Sequence, residues 1–377
     1  MRRVGIVVSD PYWGILYYPT RFAMWFQSQG LQVTAYSWTT QGQSPEYFAD
    51  LQRAGIELVL KPSLASSAGP KGLLSGLKDH RTVRDLDVLY TYGPFSAWQL
   101  SGFGHRTPAR VVTIVSAMGH SERSGAKERL GALALNRSAD VAVALCALEA
   151  ERLGRLGVDA QRTRIVFNPI DVGVFDAVRE RAEGAGRDAV LSRFRLPHDK
   201  LLVACFSSFQ SRKRHDIIVR SFEKLSQSRD DVHLVLVGEG PEQTRVRELV
   251  ASLRLTSQVS FVGYLPYDQG LEALWGCDFV LHASNAETFG YAVVEPLLMG
   301  KPLLATRVGI GHEIDQLGLA RVVKPDDQSA FDEELKALVA EPADPARTRD
   351  ARAFVQNACS FEVVGEQLLR LAQPESM

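Results

Sequence analysis

Residues 279–306 read FVLHASNAETFGYAVVEPLLMGKPLLAT. An apolar run, FVLHA, leads into a polar loop. Gly290 then opens an apolar-rich segment that reaches Met299, and Gly300-Lys301-Pro302 separates it from a second apolar run. The order is strand, loop, helix, strand. Both runs are continuous rather than alternating, which suits strands of a parallel sheet covered on both faces. The helix is expected from about Gly290 to Met299, stopped by Gly300 and Pro302. Glu287 then falls in the loop and Glu295 more than a turn inside the helix. Amides of Phe289, Gly290 and Tyr291 are expected as helix-start donors for a phosphate. The two carboxylates are expected as acceptors for sugar or ribose hydroxyls. For either acid alone, an ordinary helix start with a half-exposed glutamate reads equally well.

The same alternation runs through the whole chain. VGIVVS, LQVTAYS, DVLYTY, ARVVTIV, DVAVAL and TRIVF read as strands in the first half, with helical patterns between them such as RFAMWFQSQG and CALEAERLGRLG. A charged stretch follows, about 176–200, with two glycines and a closing proline region. Alternation then restarts with LLVACFSS, VHLVLVG, VSFVG, FVLHAS, PLLAT and ARVV. This predicts an α/β chain with two doubly wound sheets. The expected division is 1–178 plus a C-terminal helix at about 360–377, a linker over 179–195, and a second domain over 196–359.

Length and composition agree. The chain has 377 residues, 45% hydrophobic and 23% charged, with a net charge of -1. That is ample for two cores and lacks the basic excess of a nucleic-acid binder. The first half leans mildly basic, which is compatible with an anionic acceptor or lipid surface. Four scattered cysteines, Cys146, Cys205, Cys277 and Cys359, form no C-x-x-C pair, so neither zinc nor a disulfide framework is indicated. No acidic cluster argues for a metal. No stretch approaches a membrane span, and no leader is read before the strand beginning at Val4. The cytoplasm is the expected compartment, with peripheral contact at the inner membrane face left open.

AETFGYAVVEPLLMGKPLLATRVG resembles the E-x7-E signature of the family-four retaining glycosyltransferases, which have the GT-B fold. IVFNPIDVGVF (165–175), LVLVGEGPE, VSFVGYL and the tail SFEVVGEQLL are similar to further family segments, in the family's order. The resemblance implies two Rossmann-like domains facing a central cleft, with the last helix crossing back to the first domain. It implies transfer of a sugar from a nucleoside-diphosphate sugar, UDP-linked first and GDP-mannose second, to a glycan, lipid-linked or small-molecule acceptor. No separate cofactor or metal is implied. Glu295 would hold the ribose and Glu287 a hydroxyl of the transferred sugar. Thr288, Phe289, Gly290 and Tyr291 would supply backbone to sugar and phosphate, Gly238 would be a further donor-binding residue, and the run around Val262 would face the base.

The diphosphate needs cations, and FSSFQSRKRHD (206–216) offers Arg212, Lys213 and Arg214. Family members carry G-R-L-x-x-x-K-G here. Lys213 matches the lysine, but Ser208 stands at the arginine's place and Arg214 at the glycine's. Arg212 or Arg214 would therefore have to supply the second charge. In the first half, Gly14 within SDPYWGILYYPTRF corresponds to a phosphate-facing glycine, and the surrounding rings suit either an acceptor platform or core packing. Ser116 occupies the place of a frequent family histidine, and His120 is the candidate to replace it. The reaction implied is single-faced, with the protein positioning the substrates and stabilising the leaving phosphate. A catalytically silent nucleotide-sugar-binding subunit and another GT-B enzyme, such as an epimerase, stay open at this stage.

Overall fold

A computed structural model describes residues 2–8, 17–37, 45–60, 83, 85–93, 109–115, 125–341 and 344–373. The chain divides into two compact units, Met1–Pro169 with Phe361–Met377, and Ile170–Ser360.

Among the described residues of the first unit, seven strands form one parallel sheet: β1 (Arg3–Val7), β2 (Gln32–Ser37), β3 (Glu57–Leu60), β4 (Val88–Tyr92), β5 (Arg110–Ile114), β6 (Val141–Ala144) and β7 (Thr163–Ile165). Their order is β3-β2-β1-β4-β5-β6-β7. Val4 of β1 sits in register between Val33 and Val88. All five residues of β4 are buried, Thr91 included, which is why this strand shows no alternation of apolar and exposed polar positions. β3 is a strand that the sequence reading passed over, since ELVL is short and opens on a charge.

The helix Phe361–Leu371 belongs to this unit although it ends the chain. Its Gly365 lies so close to Trp25 that a Cβ would fall 2.6 Å from the indole. Tyr90 Oη donates to Leu368 O at 2.8 Å and Arg110 Nε to Leu371 O at 2.6 Å. Phe361 packs on Phe22 with ring centroids 5.1 Å apart.

The second unit holds six parallel strands: β8 (Leu201–Phe206), β9 (Val232–Val237), β10 (Val259–Gly263), β11 (Phe279–His282), β12 (Leu303–Thr306) and β13 (Arg321–Val323). Their order is β10-β9-β8-β11-β12-β13. From β8 the chain builds outward through β9 and β10, then returns to lay β11 on the other side of β8. Strand order thus reverses between β8 and β11. At such a switch point the loops leaving two neighbouring strands diverge and open a crevice at the carboxyl ends. The loops in question are Ser207–Arg214 and Ala283–Gly290.

Residues 179–195 do not form a linker. They continue two helices, Val172–Ala185 and Arg187–Arg193, separated by Gly186 at φ 85. Phe175, Val178, Ala182, Val190 and Leu191 are buried. Val190 and Leu191 press on Gly276, where a Cβ would come within 3.2 Å and 3.0 Å of them. Arg187 pairs with Asp278 at 2.8 Å, and Arg193 pairs with Glu272. The charges that suggested a linker are the outer faces of amphipathic helices. The boundary moves to Pro169/Ile170 accordingly.

Candidate functional site

The loop after β8 is fastened to its neighbours through backbone. Ser207 N donates to Val237 O at 3.0 Å, Phe209 N to Glu239 O at 2.9 Å, and Gly238 N to Gly263 O at 2.9 Å. Gly238 has φ 134, and a Cβ there would sit 2.2 Å from Ser207 O. No side chain fits where the two loops touch. Beneath them His215 is buried and stacks on Phe209, with ring centroids 4.2 Å apart. Burial, with the Lys213 charge adding to it, pushes this imidazole down to about 4.

A short 3-10 turn, Ser211–Lys213, presents the cations. It ends at Arg214 in the left-handed conformation, φ 48 and ψ 46. This is where the resembling family carries glycine, and the backbone explains that preference. Arg214 therefore points elsewhere. Its guanidinium grips both oxygens of Asp216 at 2.9 Å and also reaches Asp326.

Arg212 and Lys213 turn the other way, onto the loop after β11. Arg212 O accepts from Asn285 N at 2.9 Å and from Ser284 Oγ at 3.0 Å, and Thr306 Oγ1 donates to Ser284 O at 2.5 Å. This lacing brings Glu287 between the cations. Arg212 Nη1 lies 3.1 Å from its Oε2, and Lys213 Nζ bonds its Oε1. The Glu287 side chain is 9% exposed. Burial alone would push the carboxyl up. Its His282 hydrogen bond and the Lys213 and Arg212 charges reverse this and hold it well below the usual range.

Glu295 lies in the helix Tyr291–Leu298, which starts from Gly290 at φ 103. Its Oε1 accepts from Tyr267 Oη at 3.0 Å. Desolvation pushes its carboxyl up to about 7, with Tyr267 and Lys213 pulling the other way. Glu295 forms part of the wall of a cavity of about 300 Å³, together with Ser208, Gly238, Glu239, Tyr264 and Tyr267. The cavity is mainly apolar, with a few polar groups, the usual make-up of a small-molecule site.

The structure thus groups Arg212, Lys213 and Glu287 in one ionic cluster and sets Ser208, Gly238 and Glu295 around the neighbouring cavity. Arg214 is not brought to either. Val262 packs into an apolar cluster with Leu202 and Val237, while Tyr264 and Leu265 line the cavity. Phe289 is buried edge-on to Tyr291, with centroids 5.2 Å apart, and its carbonyl accepts from Ile310 N at 2.7 Å. Thr288 is partly exposed beside it. Gly14, Ser116 and His120 lie outside the described residues. Tyr267 and His282 are site neighbours that the sequence reading missed. Each sits in an element whose side-chain directions require the register to be known. Among the described residues no group of His, Cys, Asp and Glu is arranged to hold a metal ion, and no helix is long and apolar enough to cross a membrane.

Two family patterns match in tandem: Glycosyl transferase 4-like domain over residues 14–169 and Glycosyl transferases group 1 over residues 187–358. The chain belongs to the group 1 glycosyl transferases. Within the family it is similar to the phosphatidylinositol N-acetylglucosaminyltransferase GPI3 subunit of Saccharomyces cerevisiae, 29% identical over 29% of this chain and 25% of that protein. It is also similar to a GDP-mannose-dependent monoacylated alpha-(1-6)-phosphatidylinositol monomannoside mannosyltransferase of Corynebacterium glutamicum, 28% identical over 46% of this chain and 47% of that one. The chain therefore spans less than half the length of these two curated relatives. In fold it matches the Anabaena protein HepE, solved in complex with UDP, at a TM-score of 0.77 and 19% identity, over 98% of this chain and 99% of that one. The group 1 fold is two Rossmann-like units of the GT-B type, as found here.

Proposed function

We propose that this member of the group 1 glycosyl transferases moves a sugar, with retention, from a nucleoside-diphosphate sugar to an acceptor hydroxyl. The observation that carries this is the placement of the two acids of the signature. Glu287 is buried among Arg212, Lys213 and His282, while Glu295 faces the adjoining cavity. A nucleoside diphosphate is a flat apolar base, a diol and a dianion in line. The cavity suits the base, Glu295 the ribose diol, and Lys213 with Arg212 the diphosphate. Arg212 takes the second cation's part, because Arg214 is committed to Asp216 and Asp326.

In the reaction, the bond from C1 of the sugar to phosphate oxygen breaks as the bond to the acceptor oxygen forms on the same face. The acceptor's proton passes to the departing phosphate. Charge builds on that phosphate, and Lys213 and Arg212 stabilise it. Glu287 fixes the sugar through a hydroxyl. UDP is the first choice of nucleotide, supported by the UDP complex of HepE, with GDP second. The acceptor is a glycan, lipid-linked or small molecule, and peripheral membrane contact at a lipid acceptor fits the two phosphatidylinositol-named relatives.

Thermal unfolding with UDP, GDP, ADP, dTDP or NAD, for wild type and Glu295→Ala, tests this. Ligand at 100 times its Kd stabilises by about 2.7 kcal/mol. One nucleoside diphosphate is expected to raise Tm, and the variant to lose the rise. A rise with NAD alone, or with none of the diphosphates, rejects the reading.

A further inference from the structure

We propose that His282 is the positioning residue that keeps Glu287 aimed at the donor sugar once the phosphate has drawn its cations away. The proposal rests on the donor-site reading above and adds to it a residue outside the E-x7-E signature.

His282 ends β11, a strand flanked by β8 on one side and β12 on the other, with His282 in register with Ala305. It is 2% exposed. Its Nε2 lies 3.4 Å from Glu287 Oε1, the same oxygen that Lys213 Nζ bonds. Glu287 thus has three side-chain partners of two kinds. Lys213 and Arg212 sit on a loop turn and carry full positive charge. A diphosphate competes for both, since charge-assisted bonds to phosphate are strong and Arg and Lys are the usual donors. A buried carboxylate stripped of its cations is strongly destabilised.

His282 is different on each count. Its ring hangs from a central strand and has no long flexible stem. Burial favours the uncharged imidazole, so phosphate has little pull on it. Its Nδ1 is buried with no hydrogen-bond partner among the described residues. The proton accordingly belongs on Nε2, where it is donated to Glu287. As Lys213 swings to phosphate, Oε1 is freed and the His282 bond can shorten. The carboxylate then keeps its charge and its direction, and its outer oxygen remains available for a sugar hydroxyl.

This separates sugar recognition from nucleotide recognition, and binding can read the difference. UDP and UDP-glucose, or GDP and GDP-mannose if the nucleotide panel selects guanine, are titrated into wild type and into His282→Leu, His282→Asn and His282→Gln. His282→Leu and His282→Asn are expected to weaken nucleotide-sugar binding about 10-fold while the diphosphate alone changes less than about twofold. The amide of His282→Gln reaches where Nε2 lies, so it is expected to restore most of the loss. Asn has the same amide on a shorter stem, so the Asn and Gln pair decides the matter even if the Leu variant does not fold. Equal losses for diphosphate and nucleotide sugar, no loss in either, or no recovery with Gln would each overturn the proposal. Wild type that binds neither ligand would instead remove the donor-site reading itself.

Discussion

Glu149 follows β6 in the first unit and Glu287 follows β11 in the second, and both carboxylates are withdrawn from water. Their surroundings differ. Glu149 accepts from Arg152 at 3.1 Å, but Arg152 also serves Glu128 at 2.6 Å, so one guanidinium is shared between two acids. Burial prevails, and the Glu149 carboxyl is held above its ordinary value. Glu287 meets two cations and an imidazole and is held far below. Among the described residues, the first arrangement joins two helices through one cation set between two acids. The second gathers more positive charge than its acid needs. Lys213 is nearly buried and Arg212 is more than a third exposed; such a surplus at a strand-order switch point suits the anion of the donor site proposed above.

The comparison breaks most visibly at Lys213. Lys213→Ala is expected to lower turnover about 10²–10³-fold, read by steady-state kinetics, with donor KM changed far less. Wild-type turnover in that variant would make the second cluster as structural as the first. Arg152→Met is the matching change in the first unit. It should leave turnover intact and destabilise by about 1–3 kcal/mol. Because Glu149 can then accept a proton, the loss measured by urea unfolding should shrink from pH 8 to pH 5; a pH-independent loss would contradict the account.

Glu295 supplies a third, smaller contrast. Its folded value of about 7 stands above the ordinary 4.5, so the folded protein keeps a proton that the unfolded chain releases. The associated stability is complete below the ordinary value and disappears as pH rises through 7. Wild type should therefore lose Tm relative to Glu295→Gln between pH 5 and pH 8, by about 2–4 °C for each kcal/mol. Parallel pH curves would show that the carboxyl is not held protonated. The smallest effect is expected at Arg214→Gly. Relief of left-handed strain, about 1–2 kcal/mol, opposes the loss of two partly exposed ion pairs, each worth about 0–1 kcal/mol. Turnover should be unchanged, whereas Arg212→Ala should weaken diphosphate binding; equal losses from both would return Arg214 to the site.

Much of this could be read before the fold was known. Six apolar runs in the second half gave its six strands, and the spacing of Glu287 and Glu295 placed one acid in a loop and the other in a helix. Lys213 was legible as a cation of the loop after β8, and the structure sets it on Glu287. The failures have physical causes. Residues 179–195 looked like a linker because charges outnumber apolar residues there, although Phe175, Val178 and Ala182 already carried a helical stripe. Which of Arg212 and Arg214 meets Glu287 follows from the folded loop, where Arg212 reaches Glu287 and Arg214 pairs with Asp216 and Asp326, and sequence does not reveal that. His282 is hidden inside FVLHAS, where nothing distinguishes a site residue from a tolerated core histidine until Glu287 folds back onto it.

Two contacts bear on how such a site can diversify. A Cβ on Gly309 would lie 2.1 Å from Phe289 O, as one on Gly238 would from Ser207 O at 2.2 Å. At both positions main chain rests on main chain, and at Gly309 the Glu287 Cβ closes the remaining space at 3.1 Å. At the donor site proposed above, mutational drift is closed off along the inner margin, and selection must act on the rim. Tyr264, 68% exposed and lining the cavity, is where the proposed nucleotide preference would change without disturbing the frame behind it.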